Sequence, residues 1–408
     1  MGDGMIATTQ FMRRELTPEI PEGLLSAFEA IPENPTASAL RFAAWQAFAN
    51  RGIPQTSDEE YSFTSISEIK NLLSRIPGNH SGNGFAVTNA DRLEQFPLTS
   101  SSTPEAMVSA WKKIASEEKD VASALAMALT PQSIALRLKA GKKLETPFPI
   151  VCKAKGSRTD AAMYLQLDAG STAKISLASE VVREDYLNAS ASFYLGEKAE
   201  LDLAQIDPIA GSQTLKLHFV LERGAKLRLL TASTGGRFQR LAIEVDLMGS
   251  DAEVDLRGAA VVGGVNRCHR HVVVRHHVPD CISRQLFKAV VLGSGRSSVD
   301  GTVIVDRGAQ RTDAKQLLRH LMLSKEGKAD SKPRLFIHAD DVKCGHGATV
   351  GKMDPEQLFY LRSRGLDPEA AISLLTHAFL AEALDASALT DFREAARLRL
   401  LAALEETP

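Results

Sequence analysis

A chain of 408 residues is too long to be a peptide-sized module, and at about 100 to 200 residues per domain it should hold two or three structural units around a large core. Its 48 Lys and Arg against 50 Asp and Glu leave a formal charge of −2, which excludes the strongly basic footprint of a dedicated nucleic-acid surface. Four cysteines, Cys152, Cys268, Cys281 and Cys344, form no C-x-x-C pair and no regular framework, which fits a reducing compartment rather than a disulfide scaffold.

The opening stretch, MGDGMIATTQFMRREL, lacks the apolar run of a signal peptide. Nothing further along approaches the roughly 18 apolar residues of a membrane span, so a soluble, cytoplasmic protein with no membrane partner is expected. Spaced apolar residues then predict amphipathic helices, with Leu24, Leu25 and Phe28 in 18–30 and Phe42, Trp45 and Phe48 in 37–51. Between 77 and 103 the composition turns to Pro, Gly, Asn and Ser, which reads as a loop or flexible linker. Another helix is predicted over 104–128, where Trp111, Ile114, Val121, Leu125 and Met127 are available for packing.

From about Thr130 the period changes. Segments such as AKISL, AELDL, LKLHFVL, AKLRLL and AEVDL alternate apolar with polar residues, the pattern of half-buried strands. Gly170, Gly196, Gly224 and Gly249 each precede one of these segments, at steps of 26, 28 and 25 residues. A unit that returns at a near-constant step of this size marks a solenoid, because each coil buries its apolar side only by stacking on its neighbours. The pattern favours a right-handed parallel β-helix over 130–350. A β-sandwich or jelly roll with turn glycines is the competing arrangement, and it requires antiparallel hairpins instead of stacked coils.

Past residue 350 helices return. Asp354 and Pro355 supply an N-cap and a first-turn proline, Gly365 a terminator, and Asp367 with Pro368 repeats the start signal. Ile372, Leu375 and Phe379 line one side of the second helix, and 392–404 forms a third. The expected organisation is a helical region over 1–129 with its linker around 77–103, a β-helix core over 130–350, and a helical domain over 351–408. The flanking helices are expected to cap the exposed end coils of the solenoid, and part of their apolar surface must face the β-helix or a partner.

The unusual chemistry is concentrated in ADDVKCGHGATVG, Ala339 to Gly351. Cys344 and His346 stand two residues apart, so on a strand both side chains project from one face. Gly345, Gly347 and Gly351 remove side chains around them, which lets another backbone or a ligand approach closely. Thiolate and imidazole are donors that iron, zinc and copper accept; one edge cysteine beside one surface histidine is the plainer reading. Asp340 and Asp341 are adjacent, so on a strand they point to opposite faces and form no acid/base pair, while Asp341 is placed to hold a local turn. GHGATVGK is not a phosphate loop, because His346 stands where the first glycine is required and Met353 where Ser or Thr is.

A second dense stretch is CHRHVVVRHH, Cys268 to His277. Period two puts His269, His271 and His277 on one face with Cys268 and His276 on the other, and these histidines read as a solvated strand face or as satisfied core residues before they read as a metal site. Cys152 and Cys281 read as small core residues.

The stretch ADDVKCGHGATVG, followed by DPEQLFYLRSRG from Asp354 to Gly365, resembles the C-terminal signature of the SufB/SufD family, scaffold subunits of the SUF iron-sulfur cluster assembly machinery, and is more similar to its SufD branch. Weaker resemblance runs back through KADSKP, Lys328 to Pro333, and SRQLF, Ser283 to Phe287. The resemblance implies a parallel β-helix that pairs with a SufB-like subunit and a C-terminal helical region, 354–404, that docks the ATPase SufC. It implies no nucleotide bound by this chain itself. It also implies that Cys344 and His346 meet a nascent iron-sulfur cluster, or its incoming iron, at the interface with SufB. His346 would be a nitrogen ligand, and Cys344 either a ligand or a transient sulfur carrier.

Two other functions compete. Parallel β-helices also carry carbohydrate-active sites, which call for carboxylates clustered across coils and exposed aromatics; only 6% of the residues are aromatic and no acidic cluster spans successive coils. A purely structural homodimeric β-helix would leave Cys344 and His346 dispensable. A non-enzymatic scaffold that works with a separate ATPase, possible homodimer when alone, is the leading expectation.

Overall fold

The computed structural model describes residues 20–32, 34–77, 84–87, 92–97, 103–207, 209–385 and 389–405. The opening stretch read for a signal peptide lies outside them. Among the described residues are eighteen strands and eight α-helices. Strands from Ile134 to Lys352 alternate between two nine-stranded sheets, so each coil lays one strand in each sheet and then stacks in parallel on the coil before it. This is the predicted parallel β-helix, and among the described residues no antiparallel hairpin interrupts its coils.

Alternation builds the interior. Leu203, Leu229 and Leu256 occupy one register position on successive coils and are all buried; on the facing sheet Phe193 stacks on Phe219 with centroids 4.7 Å apart. Each such side chain contributes roughly 1.5–3 kcal/mol only if fully covered, and an isolated coil covers none of it. Stacking therefore decides the fold, and local propensity follows. Register partners lie 26 residues apart at Glu200 and Lys226 and 32 apart at Arg296 and Lys328.

The glycine step that revealed the coil conceals two separate requirements. Gly170 and Gly224 occupy a left-handed turn position at φ +65°. In the coils of Gly196 and Gly249 that conformation falls two residues later, on Lys198 and Asp251. There the glycine is needed for closeness instead: a Cβ on Gly249 would lie 1.9 Å from the Arg223 backbone nitrogen, and one on Gly196 3.0 Å from that of Ala169.

Contrary to the expectation that they cap the end coils, the described helices lie along the sides of the solenoid. Trp45, Trp111, Leu125 and Met127 of the N-terminal helices pack with Ala162, Tyr164, Tyr186 and Phe238 on the outer face of one sheet. Asp120 fastens them: its carboxylate caps helix Val121–Leu129 by accepting from Ser123 N at 3.1 Å and pairs with buried Arg240 at 2.5 Å. On the other sheet, Leu380, Leu384, Phe392 and Leu400 of helices Pro368–Asp385 and Thr390–Glu405 cover Leu230, Val261, Leu286 and Val290. Outward faces this apolar need cover from water, and the apolar sides of the helices supply it. The start signals of the C-terminal helices work as predicted, with Asp354 accepting from Glu356 N and Asp367 from Ala370 N, both at 2.9 Å.

The first coil is closed by other means. Segment 77–103, read as a linker, contributes strands Phe85–Val87 and Glu94–Pro97, which pair antiparallel with Lys143–Lys153 and Ile134–Leu138; residues 78–83, 88–91 and 98–102 lie outside the described residues. Strands of three and four residues in a Pro- and Gly-rich setting are too short to show a period. At the opposite end no described strand stacks on Lys328–Ile337 or Val342–Lys352, which form the outer edges of their sheets.

Candidate functional site

Cys344 and His346 lie on this last edge strand, opposite Ala314 and Gln316 of strand Thr312–Met322. Ala314 and its same-face neighbour Leu318 are fully buried inside the solenoid, so alternation turns the thiol and the imidazole inward, on one face, at the open mouth of the coil. Cys344 is half-buried against Val303, Val305 and Ala309. Burial pushes its thiol above the usual range, with Asp313 adding to the rise and a hydrogen bond from the Ala314 backbone opposing it. His346 is exposed and among the described residues has no hydrogen-bond partner. Behind it Gln316 donates to Gln285 at 2.8 Å, so a polar file of Gln285, Gln316 and His346 replaces the leucines of earlier coils and leads to the opening.

Gly345 and Gly347 face outward on the same strand. A Cβ at Gly345 would meet nothing and one at Gly347 only the Leu317 Cδ1, 3.1 Å away. Asp340 and Asp341 lie in the bend before the strand and not on it, so the alternation argument does not apply to them. Asp341 does hold the turn, through its backbone: its N–H donates to Gln310 Oε1 at 2.9 Å and its carbonyl accepts from Arg311 N at 2.5 Å.

The histidines of 268–277 disperse. His269 meets Ser298 Oγ at 2.8 Å, His276 meets Ser283 Oγ at 2.9 Å, and burial lowers their pKa values to about 3 and about 4. His277, just past strand Arg267–His276, sits between Asp246 and Asp306 at 2.8 Å each, and its hydrogen bond to Asp246 raises its pKa. His271 lies 3.5 Å from Asp300. Cys268, Cys152 and Cys281 are buried, and all four cysteines are free. Among the described residues no three or more His, Cys, Asp or Glu converge to hold a metal ion.

Sequence reading missed the polar interior. Asp207 is fully buried on an inward position, accepting from Ser179 N at 2.9 Å and from Gln205 and Gln239, and burial pushes its carboxyl up to about 7. His320, also buried, bridges Ser297 and Ser331 at 2.9 Å each. An inward polar residue within an alternating strand was the available signal.

Fold and site together define a β-helical protein with a thiol and an imidazole on one face of the last described strand of its stack. Residues 151–379 match the family described as SUF system FeS cluster assembly, SufBD core domain, and the chain belongs to that family. It is 38% identical over 152 residues to the iron-sulfur cluster assembly protein SufD of Escherichia coli, 37% of this chain and 36% of that one. Over 378 residues it is 25% identical to an iron-sulfur cluster assembly SufBD family protein of Synechocystis, covering 82% and 83% of the two chains. It is 36% identical over 192 residues, 46% and 40% of the chains, to Protein ABCI7, chloroplastic, of Arabidopsis thaliana. The matched stretch spans well under half the length of the first and third of these relatives. Among the described residues no helix is long and apolar enough to cross a membrane.

Proposed function

We propose that this chain is a SufD-like, non-enzymatic scaffold subunit for iron-sulfur cluster assembly, working in a reducing compartment such as the cytoplasm. The observation that carries this reading is the pairing of Cys344 with His346 on one face of an unpaired edge strand. Two donors fall short of the four that a cluster or tetrahedral iron site takes, and an open strand edge accepts another chain by continuing the sheet. A SufB-like subunit joined there would add its own donors. The cluster or its iron is then cargo at the seam, with His346 as a nitrogen ligand and Cys344 as a ligand or sulfur carrier. The chain binds no nucleotide in this account, and a SufC-like ATPase docks on its C-terminal helices, where Phe359, Tyr360, Leu374 and Leu398 are exposed.

Anaerobic reconstitution of the complex with SufB-like and SufC-like partners tests the site. His346 is exposed, so His346→Ala should leave the fold intact. It should cut bound iron and visible absorbance at least about tenfold, since even outer-shell partners of metal ligands are worth that much. Undiminished cluster yield in the variant complex removes the assignment.

A further inference from the structure

On the outward face of the sheet that ends in Val342–Lys352, cations are matched coil after coil. Arg228 pairs with Asp202 and Glu200, Lys226 with Glu253, Arg257 with Asp255, and Arg284 with Asp313. The matching then stops. Lys315 and Lys343 are exposed and have no ion-pair or hydrogen-bond partner among the described residues. In register, Asp255, Arg284, Lys315 and Gly345 stand in one column, and Ile282, Asp313 and Lys343 in the next. The last acid of these columns, Asp313, is bonded to Arg284 at 2.7 Å; both lysines act on its carboxylate through space, and neither forms an ion pair with it.

The two lysines border an open groove of about 860 Å³, with Arg257, Arg284 and Leu317 along its sides; the acid in its wall, Glu382, is taken by Lys288 and Arg319. The bare backbone at Gly345 and Gly347 leaves room for a neighbouring strand's side chains. A next strand hydrogen-bonded to the edge would place its outward side chains beside Lys343 and in line with Lys315. The outward residues of the edge strand itself are Lys343, Gly345, Gly347, Thr349 and Gly351. A second copy joined along the same edge brings those residues and no acid, leaving the lysines unmatched.

We propose that Lys315 and Lys343 choose the partner at the edge, favouring a different β-helical chain whose joining strand carries Asp or Glu on its outward face over a second copy of this chain. The inference rests on the edge-pairing reading given under the proposed function. Charges of this kind set association rate and discrimination more than final affinity.

The test is association with a SufB-like chain from the same source organism, followed at about 50 mM and about 500 mM salt, for wild type and for the Lys315→Ala/Lys343→Ala double variant. Both residues are exposed, so an unchanged unfolding midpoint is the control for folding. The wild type should associate roughly tenfold faster than the variant at the lower salt, and the two should converge at the higher. A complex that forms with the same salt dependence in both proteins overturns this proposal and leaves edge pairing standing. Failure of the wild type to form any complex sinks the edge-pairing reading itself. Self-association that the double variant loses would assign the lysines to a second copy, and inorganic phosphate binding that it loses would assign them to a small anion; either result overturns the proposal.

Discussion

Gly249 and Gly345 are one residue type under opposite constraints. An added methyl at Gly249 strikes the backbone of the previous coil, which cannot yield without parting the stack, whereas at Gly345 it enters open space. Gly249→Ala should cost more than about 2 kcal/mol and Gly345→Ala less than about 0.5, compared by denaturant unfolding. Asp207 carries a second prediction. Its folded pKa of about 7 stands above an ordinary value of 3.8, so the unfolded state releases its proton first and stability falls as pH rises between those values. The slope is at most about 1.4 kcal/mol per pH unit. Asp207→Asn should flatten that stretch of the stability-pH curve, and an unchanged slope would show that the carboxyl is ionised in the fold. At this scale Cys344 and His346 were legible, because period two alone puts them on one face. Asp207 and His320 were not, because alternation reports which side a residue faces and not what meets it there.

Single elements hold by a few specific contacts. Helix Pro368–Asp385 is clasped by Lys288, a buried lysine whose ammonium donates to the Phe379 carbonyl at 2.9 Å, lies 4.3 Å from that ring's centroid and pairs with Glu382. Burial lowers its pKa against the pull of Glu382. Lys288→Ala removes the clasp from beneath the helix while most of its apolar seat survives, so amide exchange over 368–385 should accelerate about tenfold, as loss of about 1.4 kcal/mol of local stability implies. Equal exchange in both proteins would show that the leucines alone hold it. The caps of these helices were readable from Asp354, Pro355 and Asp367, since capping is local chemistry. Where the helices dock was not, because that depends on the outward face of distant coils, Leu230 and Val261 among them, which also read as ordinary strand residues. The strands Phe85–Val87 and Glu94–Pro97 escaped for the same reason, being specified by the edges they cover.

For the whole molecule, the solenoid is a rigid spacer with helices fixed on both flanks and the edge of Val342–Lys352 left uncovered by any described strand. Exposed Phe359, at 74%, and Tyr360, at 55%, lie on helix Pro355–Ser363 immediately after the edge strand. Large exposed aromatics so placed are the residue types that dominate interfaces. Phe359→Ala with Tyr360→Ala should weaken capture of a SufC-like ATPase by about 30-fold or more, some 2 kcal/mol, without moving the unfolding midpoint. Capture at wild-type affinity would place the ATPase elsewhere.

The reversed strands over the first coil also make the two termini of the stack unlike each other. A stack that could be extended at both termini would polymerise head to tail without limit, as heterologous contacts that fail to close do. Here Phe85–Val87 and Glu94–Pro97 run against the coil they cover, while Lys328–Ile337 and Val342–Lys352 keep the parallel course, so a neighbour meets unlike edges at the two termini.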